Sequence, residues 1–288
     1  MKPELFTDPA EWQARCASAR DGGARVVLVT TMGFLHEGHV SLMREARARA
    51  DERGKRGLVV ASIFVNPTQF GPAEDLSRYP RDLEGDLEKC GAAGVDRVLA
   101  PSSPDLVFPP SHRTWIDVTG VSEGLCGAKR PGHFRGVATV VAKLFNLTRP
   151  HVALFGEKDY QQLQVIRTMA RDLFMGVEVV GMPIIREADG LALSSRNAYL
   201  SKLERERALV LSRSLFEARD RVAAGERDVA TLRAGIERAL SAGVDQIDYV
   251  ELVHPGTLAP VARAEPGTVA LVAAYVGKTR LIDNVKLP

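Results

Sequence analysis

Cysteine is scarce in this chain: three in 288 residues. Cys16, Cys90 and Cys126 form no C-x-x-C pair and cannot build a disulfide framework. That spacing argues against a structural zinc site and for a reducing, cytosolic setting, with the three thiols serving as small buried hydrophobes. Net charge is scarce too. Lys+Arg 38 against Asp+Glu 36 leaves only +2, and no basic stripe is interleaved with aromatics, which make up 6% of the chain. Nucleic-acid binding is therefore not expected. No apolar run reaches the length of a membrane span, and the opening Met1-Lys-Pro-Glu-Leu-Phe-Thr-Asp8 carries no apolar signal core, so neither membrane insertion nor secretion is expected. The first apolar run is not followed by G-x-G-x-x-G, which counts against a nicotinamide-dependent dehydrogenase.

What is present is ordinary globular material, 45% hydrophobic and 26% charged, enough for a sizeable core in one large domain and a smaller one. Up to about residue 183, short apolar runs alternate with helical patterns. The runs are Val26–Thr31, Leu58–Val65, Val95–Leu99, Val152–Phe155 and Val177–Met182; helices are expected at about 39–53, 81–93, 136–148 and 160–174. This alternation predicts an α/β fold, a doubly wound, Rossmann-like parallel sheet covered on both faces. Ligands of such sheets bind at the carboxyl ends of the strands, near a switch in strand order. After Met182-Pro183 the texture changes to a turn-rich stretch, two amphipathic helices near 202–224 and 228–242, and strands at Ile247–Val253, Val269–Val276 and Thr279–Ile282. Residues 1–183 and 184–288 are thus expected to be a nucleotide- and substrate-binding domain and a smaller α+β domain closing over the site. The charge run Lys202-Leu-Glu-Arg-Glu-Arg207 is a solvated helix face.

The most informative segment is Thr31-Met-Gly-Phe-Leu-His-Glu-Gly-His39, a glycine-punctuated turn between the first strand and a helix whose apolar face carries Leu42, Met43, Ala46 and Ala50. His36 and His39 lie three apart where loop becomes helix, so both can face one point. Free backbone N–H groups and the positive end of the helix dipole favour an anion there. Two imidazoles at such a point can grip a phosphate and steady charge developing on it. The alternative is a turn with two incidental surface histidines.

Three further loops carry chemistry. In Phe64-Val-Asn-Pro-Thr-Gln-Phe-Gly71, Gln69 offers an amide that both donates and accepts, suited to hydroxyl and carboxylate groups, unless it simply faces water. In Phe155-Gly-Glu-Lys-Asp-Tyr-Gln-Gln162, Gly156 lets a ligand approach the backbone, Lys158 supplies a point charge and Asp159 can accept from a ribose hydroxyl; the competing reading is a helix cap beside a solvated lysine. In Leu193-Ser-Ser-Arg-Asn197, two hydroxyls and a guanidinium form a second phosphate clamp or a turn followed by a cap. No Ser-His-Asp or Cys-His order emerges, so no protein nucleophile is called for.

These motifs, with Arg130-Pro-Gly-His-Phe-Arg-Gly136 and Thr279-Arg-Leu-Ile-Asp-Asn284, occur in an order that resembles the pantothenate synthetase (pantoate–β-alanine ligase) family over nearly the whole chain. That family belongs to a wider group of nucleotidyl transferases with an H-x-G-H turn and a later Lys/Ser phosphate loop. The resemblance implies ATP-dependent ligation of pantoate and β-alanine through a pantoyl adenylate, releasing AMP and pyrophosphate. Both nucleophiles come from the substrates, so the protein need only position them and stabilise charge. By this resemblance His36, His39 and Lys158 are the catalytic groups, with His39 the proton donor. ATP would be held by Met32, Gly33, His36, Gly38, His39, Gly156, Glu157, Lys158, Asp159, Ile185, Leu193, Ser194, Ser195 and Arg196. Pantoate and β-alanine would meet Gln69 and Gln162. Mg2+ would accompany ATP, with Asp86 a candidate for a contact through water. A homodimer in the cytoplasm is also implied.

Thr30 stands where many members have proline and Thr68 where many have methionine; both are expected to alter packing without removing a catalytic group. A related alternative keeps the fold but adenylates another acid or a phosphate ester; the glutamines favour a neutral polyol acid, since a phosphate ester would invite more Arg or Lys. An alternative of another class is a nucleotide-binding sensor without turnover. The sequence leaves open whether the Arg130–Gly136 loop lines the site or whether His133 caps the next helix.

Overall fold

The computed structural model describes residues 2–52, 54–72 and 74–288. In chain order the elements are β1 (Glu4–Phe6), α1 (Pro9–Asp21), β2 (Val26–Thr31), α2 (Glu37–Asp51), β3 (Leu58–Ile63), α3 (Leu83–Ala92), β4 (Arg97–Leu99), α4 (Leu125–Lys129), α5 (His133–Thr148), β5 (Val152–Gly156), α6 (Tyr160–Asp172), β6 (Glu178–Met182), α7 (Lys202–Ala223), α8 (Val229–Ser241), β7 (Gln246–Val253), β8 (Val269–Val276) and β9 (Thr279–Lys286). The chain divides into two units: residues 1–118, 130–157 and 165–183 form one, and residues 119–129, 158–164 and 184–288 the other. The second unit thus takes two short segments from within the first stretch of chain. Their sequences carry no change of texture that would announce it.

The first unit is built on a six-stranded parallel sheet ordered β1-β4-β3-β2-β5-β6. Apolar side chains on both sides of β2 and β3 explain the continuous runs Val26–Val29 and Leu58–Ala61, all buried between covering helices. From β2 the chain winds outward through β3 and β4, then returns to lay β5 on the other side of β2. The carboxyl ends of β2 and β5 therefore flank the switch point, where open α/β sheets bind ligands. On one face α2 packs Val40, Leu42, Met43, Ala46 and Ala50 into a cluster with Val27, Val29, Val59, Ala61 and Leu154.

Three elements are not legible in the sequence, among them the five-residue α4. β1 is three residues long, and of α1 only Trp12 and Cys16 are buried, too few to print an apolar period. The expected β3 and β4 runs are too long at their ends; Asn66-Pro67 closes the former in a 3-10 turn, where proline cannot donate to a ladder.

In the second unit β7, β8 and β9 form an antiparallel sheet. Helices α7 and α8 bury Leu211, Leu215, Leu232, Ile236 and Leu240 against Val250, Leu252, Val272 and Leu281. β9 runs on to Lys286, beyond the expected Ile282, because its polar Asp283 and Asn284 are buried with partners of their own. No helix among the described residues is long and apolar enough to cross a membrane.

Candidate functional site

At the end of β2, Thr31 Oγ1 donates to Ser62 O at 2.8 Å and accepts from Gly33 N at 3.2 Å, which starts the turn. Gly33 has φ +82°, a left-handed conformation, and a Cβ there would stand 3.0 Å from both Asp86 Oδ2 and Ile63 Cγ2. Phe34 follows at φ +51°, uncommon for a bulky side chain. This turn is held from α3. Phe34 N donates to Asp86 Oδ2 at 2.8 Å, Leu35 N to Asp86 Oδ1 at 2.7 Å, and Lys89 Nζ to Leu35 O at 2.9 Å. Burial pushes the Asp86 carboxyl up from the ordinary range; the two backbone N–H bonds and Lys89 pull the other way.

The histidines follow at once. His36 is the N-cap of α2, its Nδ1 accepting from Gly38 N at 3.1 Å, while His39 Nδ1 accepts from His36 N at 3.3 Å. Imidazoles thus form a reciprocal capping box, the role usually taken by Ser and Glu. Since both Nδ1 atoms accept, the neutral rings each carry their proton on Nε2. The ring centroids are 4.1 Å apart. The result is two N–H donors on neighbouring rings at a helix N-terminus, a cluster suited to oxyanions.

Beside them, at the end of β3, Gln69 is buried in the turn Pro67–Gln69. Its Oε1 accepts from Asn66 Nδ2 at 3.1 Å and its Nε2 donates to Met32 Sδ at 2.9 Å. The first unit therefore brings together Met32, Gly33, His36, Gly38, His39 and Gln69 at the carboxyl ends of β2 and β3. Thr68 does more than fill space: its hydroxyl donates to Asn66 Oδ1 at 2.8 Å. On the other side of β2, β5 ends at Gly156, where a Cβ would meet no atom of the described residues within 4 Å.

The chain then passes through Glu157 into a 3-10 turn and the second unit. There Lys158 O accepts from Asn284 Nδ2 at 3.0 Å, and Lys158 Nζ lies 3.8 Å from Asp159 Oδ2. The Lys158 side chain is 19% exposed, so it is not the freely solvated lysine that the motif alone allows. Gln161 ties this turn to residues 119–129, accepting from Cys126 N at 2.9 Å and donating to Val121 O and Gly124 O at 3.0 and 2.8 Å. Gln162, next in the helix, is half-buried.

Also in this unit, a backbone bond from Leu193 N to Ile185 O at 3.0 Å brings those two expected nucleotide contacts side by side. Arg186 is fixed by a bidentate pair with buried Asp283 at 2.6 and 2.8 Å. Ser194 accepts from Arg196 N at 3.3 Å and caps the 3-10 turn Ser195–Tyr199, so the capping geometry is realised at that hydroxyl, and Ser195 is buried. Asp283 and Asn284 thus support both the Arg186 segment and the Lys158 turn. Nothing in the local sequence Thr279–Asn284 specifies those partners; burial of two adjacent polar residues at the end of an apolar strand is the signal that points to them. Among the described residues no three His, Cys, Asp or Glu side chains gather as a metal cage.

Known proteins are similar to this chain in sequence and in fold. The pattern of the Pantoate-beta-alanine ligase family matches residues 4–286. The pantothenate synthetase of Anaeromyxobacter dehalogenans is 72% identical over 99% of both chains, and that of Myxococcus xanthus is 56% identical over 100% of this chain and 97% of its own. The crystal structure of pantothenate synthetase from Thermus thermophilus superposes with a TM-score of 0.90 at 45% identity, covering 99% of this chain and 100% of the other. Pantoate-beta-alanine ligase from Francisella tularensis, complexed with beta-gamma ATP and beta-alanine, has a TM-score of 0.78 at 29% identity, covering 99% and 97%. With motifs, fold and full-length similarity in agreement, the chain belongs to the pantoate–β-alanine ligase family.

Proposed function

We propose that the chain joins pantoate to β-alanine at the expense of ATP, through a pantoyl adenylate, releasing pyrophosphate and then AMP. The observation that carries this reading is the paired imidazole cap of α2 beside the Gln69 amide, in a chain that shares its full length with pantoate–β-alanine ligases.

In the first step a pantoate carboxylate oxygen attacks the α-phosphorus of ATP, and the bond from that phosphorus to the pyrophosphate oxygen breaks. Charge develops on the phosphate oxygens, where the His36 and His39 Nε2–H groups, the N-terminus of α2 and Lys158 stabilise it. His39 serves as proton donor. Ser194, Ser195 and Arg196 hold the triphosphate, while the backbone at Gly156 and Ile185, with Met32, Gly33, Gly38, Glu157, Asp159 and Leu193, takes the rest of the nucleotide. Gln69 and Gln162 orient pantoate through its hydroxyl and carboxylate groups. In the second step the β-alanine amine attacks the acyl carbon and AMP leaves.

ATP enters as its Mg2+ complex, the cation being carried by the substrate's phosphates. Asp86 already accepts two N–H bonds, so a water of that cation would reach it only through the remaining lone pairs. The working form is a cytoplasmic homodimer. β6, at the edge of its sheet, and the 93% exposed Phe174 in the same unit offer a surface for pairing.

The test is isotopic. Pantoate labelled with 18O in its carboxylate should deliver one label to AMP. AMP free of label would exclude an acyl adenylate.

A further inference from the structure

The Arg130–Gly136 segment opens α5 without capping it. Gly132, at φ +81°, is the N-cap residue and no side chain bonds the helix end. His133, buried, turns to Gln69 instead: its Nδ1 lies 2.8 Å from Gln69 O. A carbonyl can only accept, so Nδ1 carries the proton. Arg130 NH1 lies 3.0 Å from His133 Nε2, and a guanidinium can only donate, so Nε2 is the bare acceptor. These partners select the neutral Nδ1–H tautomer, opposite to that of His36 and His39. Arg130 is held in turn by Glu74, with Nε donating to Oε1 at 2.8 Å and NH2 to Oε2. The pair is largely shielded, the side chains being 17% and 25% exposed.

The same turn is gripped from the helix. A Cβ at Gly136 would fall 2.4 Å from Thr68 O and 2.8 Å from Gln69 N, so α5 rests directly on that backbone. Asn66 Nδ2 donates both to Gly136 O at 3.2 Å and to Gln69 Oε1 at 3.1 Å.

We propose that Glu74, Arg130 and His133 form a positioning relay that fixes the backbone of Gln69, and with it the amide that meets the substrate acid. The inference rests on the assignment of Gln69 to pantoate. Glu74 orients Arg130, Arg130 withholds the proton from Nε2 and polarises the ring, and the polarised Nδ1–H anchors the Gln69 carbonyl. None of the three residues touches the reacting atoms. Their effect is on how pantoate is held.

The experiment compares H133L, H133N, E74Q and Q69A in the full chain, measuring kcat and KM for pantoate and ATP separately. It also records the imidazole 15N shifts of His133 in wild type and E74Q. Loss of one anchoring hydrogen bond should raise the pantoate KM of H133L about tenfold. ATP KM should stay within about twofold, since the nucleotide-binding loops are untouched. H133N, whose amide nitrogen replaces Nδ1, should restore pantoate KM to near wild type. His133 should show the neutral Nδ1–H signature. Equal rises in both KM values, no rise in H133L, no rescue by H133N, or an Nε2–H signature would each overturn the relay. If H133L does not fold, the 15N signature and the E74Q kinetics decide. A Q69A variant with unchanged pantoate KM would overturn the Gln69 assignment instead, leaving the tautomer to judge the relay.

Discussion

Replacing Asp86 by alanine should damage the turn that carries His36. The two Asp86 oxygens receive the N–H groups of Phe34 and Leu35 at 2.8 and 2.7 Å, and the residue is 1% exposed. Alanine would remove the acceptor of the buried Leu35 N–H, at about 1–3 kcal/mol, and that of the half-buried Phe34 N–H, which water can partly replace, at less. Part of that cost is returned, because burial already disfavours the carboxylate's charge. A net loss of about 1–3 kcal/mol in urea unfolding is expected. Function should suffer through geometry. Phe34 sits at φ +51°, and such a conformation in a bulky side chain persists only where the surroundings enforce it. Without Asp86 the turn can relax, carrying His36 with it, and displacement of a catalytic group by about 1 Å costs up to about 10²-fold in rate. Single-turnover adenylation, followed by pyrophosphate release, should slow by about 10- to 100-fold. The Asp86→Asn variant, which keeps one acceptor oxygen, should fall between. An alanine variant within about 0.5 kcal/mol of wild type and adenylating at full rate would refute the reasoning.

Other expectations follow from the same geometry. His36→Ala and Lys158→Ala should each slow adenylate formation by about 10²- to 10³-fold, the usual cost of one transition-state contact, in rapid-quench assays. Gly136→Ala should destabilise by about 1–3 kcal/mol, because the new methyl cannot coexist with Thr68 O at 2.4 Å, and should raise the pantoate KM; thermal melts and steady-state kinetics test both. Cys16 and Cys90, pushed up to about 12 by burial, should resist a thiol reagent at pH 8 in the folded protein and react at once in urea. As neutral thiols they add no pH dependence below their ordinary value of 9.0, and they destabilise the fold as pH climbs from 9.0 toward about 12, readable as a falling urea midpoint.

The sequence reveals local order better than tertiary support. Val26–Thr31 reads as a buried strand and α2 as amphipathic because each prints its period within a few residues. The H-x-G-H turn is legible for the same reason: the capping bonds of His36 and His39 run between residues two and three apart. Asp86 is not legible as a support, since its partners are some fifty residues away. The spacing of Asp86 and Lys89 on one face of α3 is compatible with many roles. Of the two readings open for Arg130–Gly136, the cap is not made: Gly132 is the N-cap of α5, and His133 answers to a carbonyl 64 residues earlier in the chain. Segments 119–129 and 158–164 belong to the second unit through contacts such as Asn284 Nδ2 to Lys158 O and Tyr160 OH to Pro255 O, between residues some hundred apart in the chain.

The central claim is two-step ligation, and the most direct measurement is pyrophosphate release from MgATP and pantoate, with and without β-alanine. A burst of about one equivalent per site without β-alanine is expected, turning to continuous AMP and pantothenate formation when β-alanine is added. No pyrophosphate under either condition would contradict the assignment.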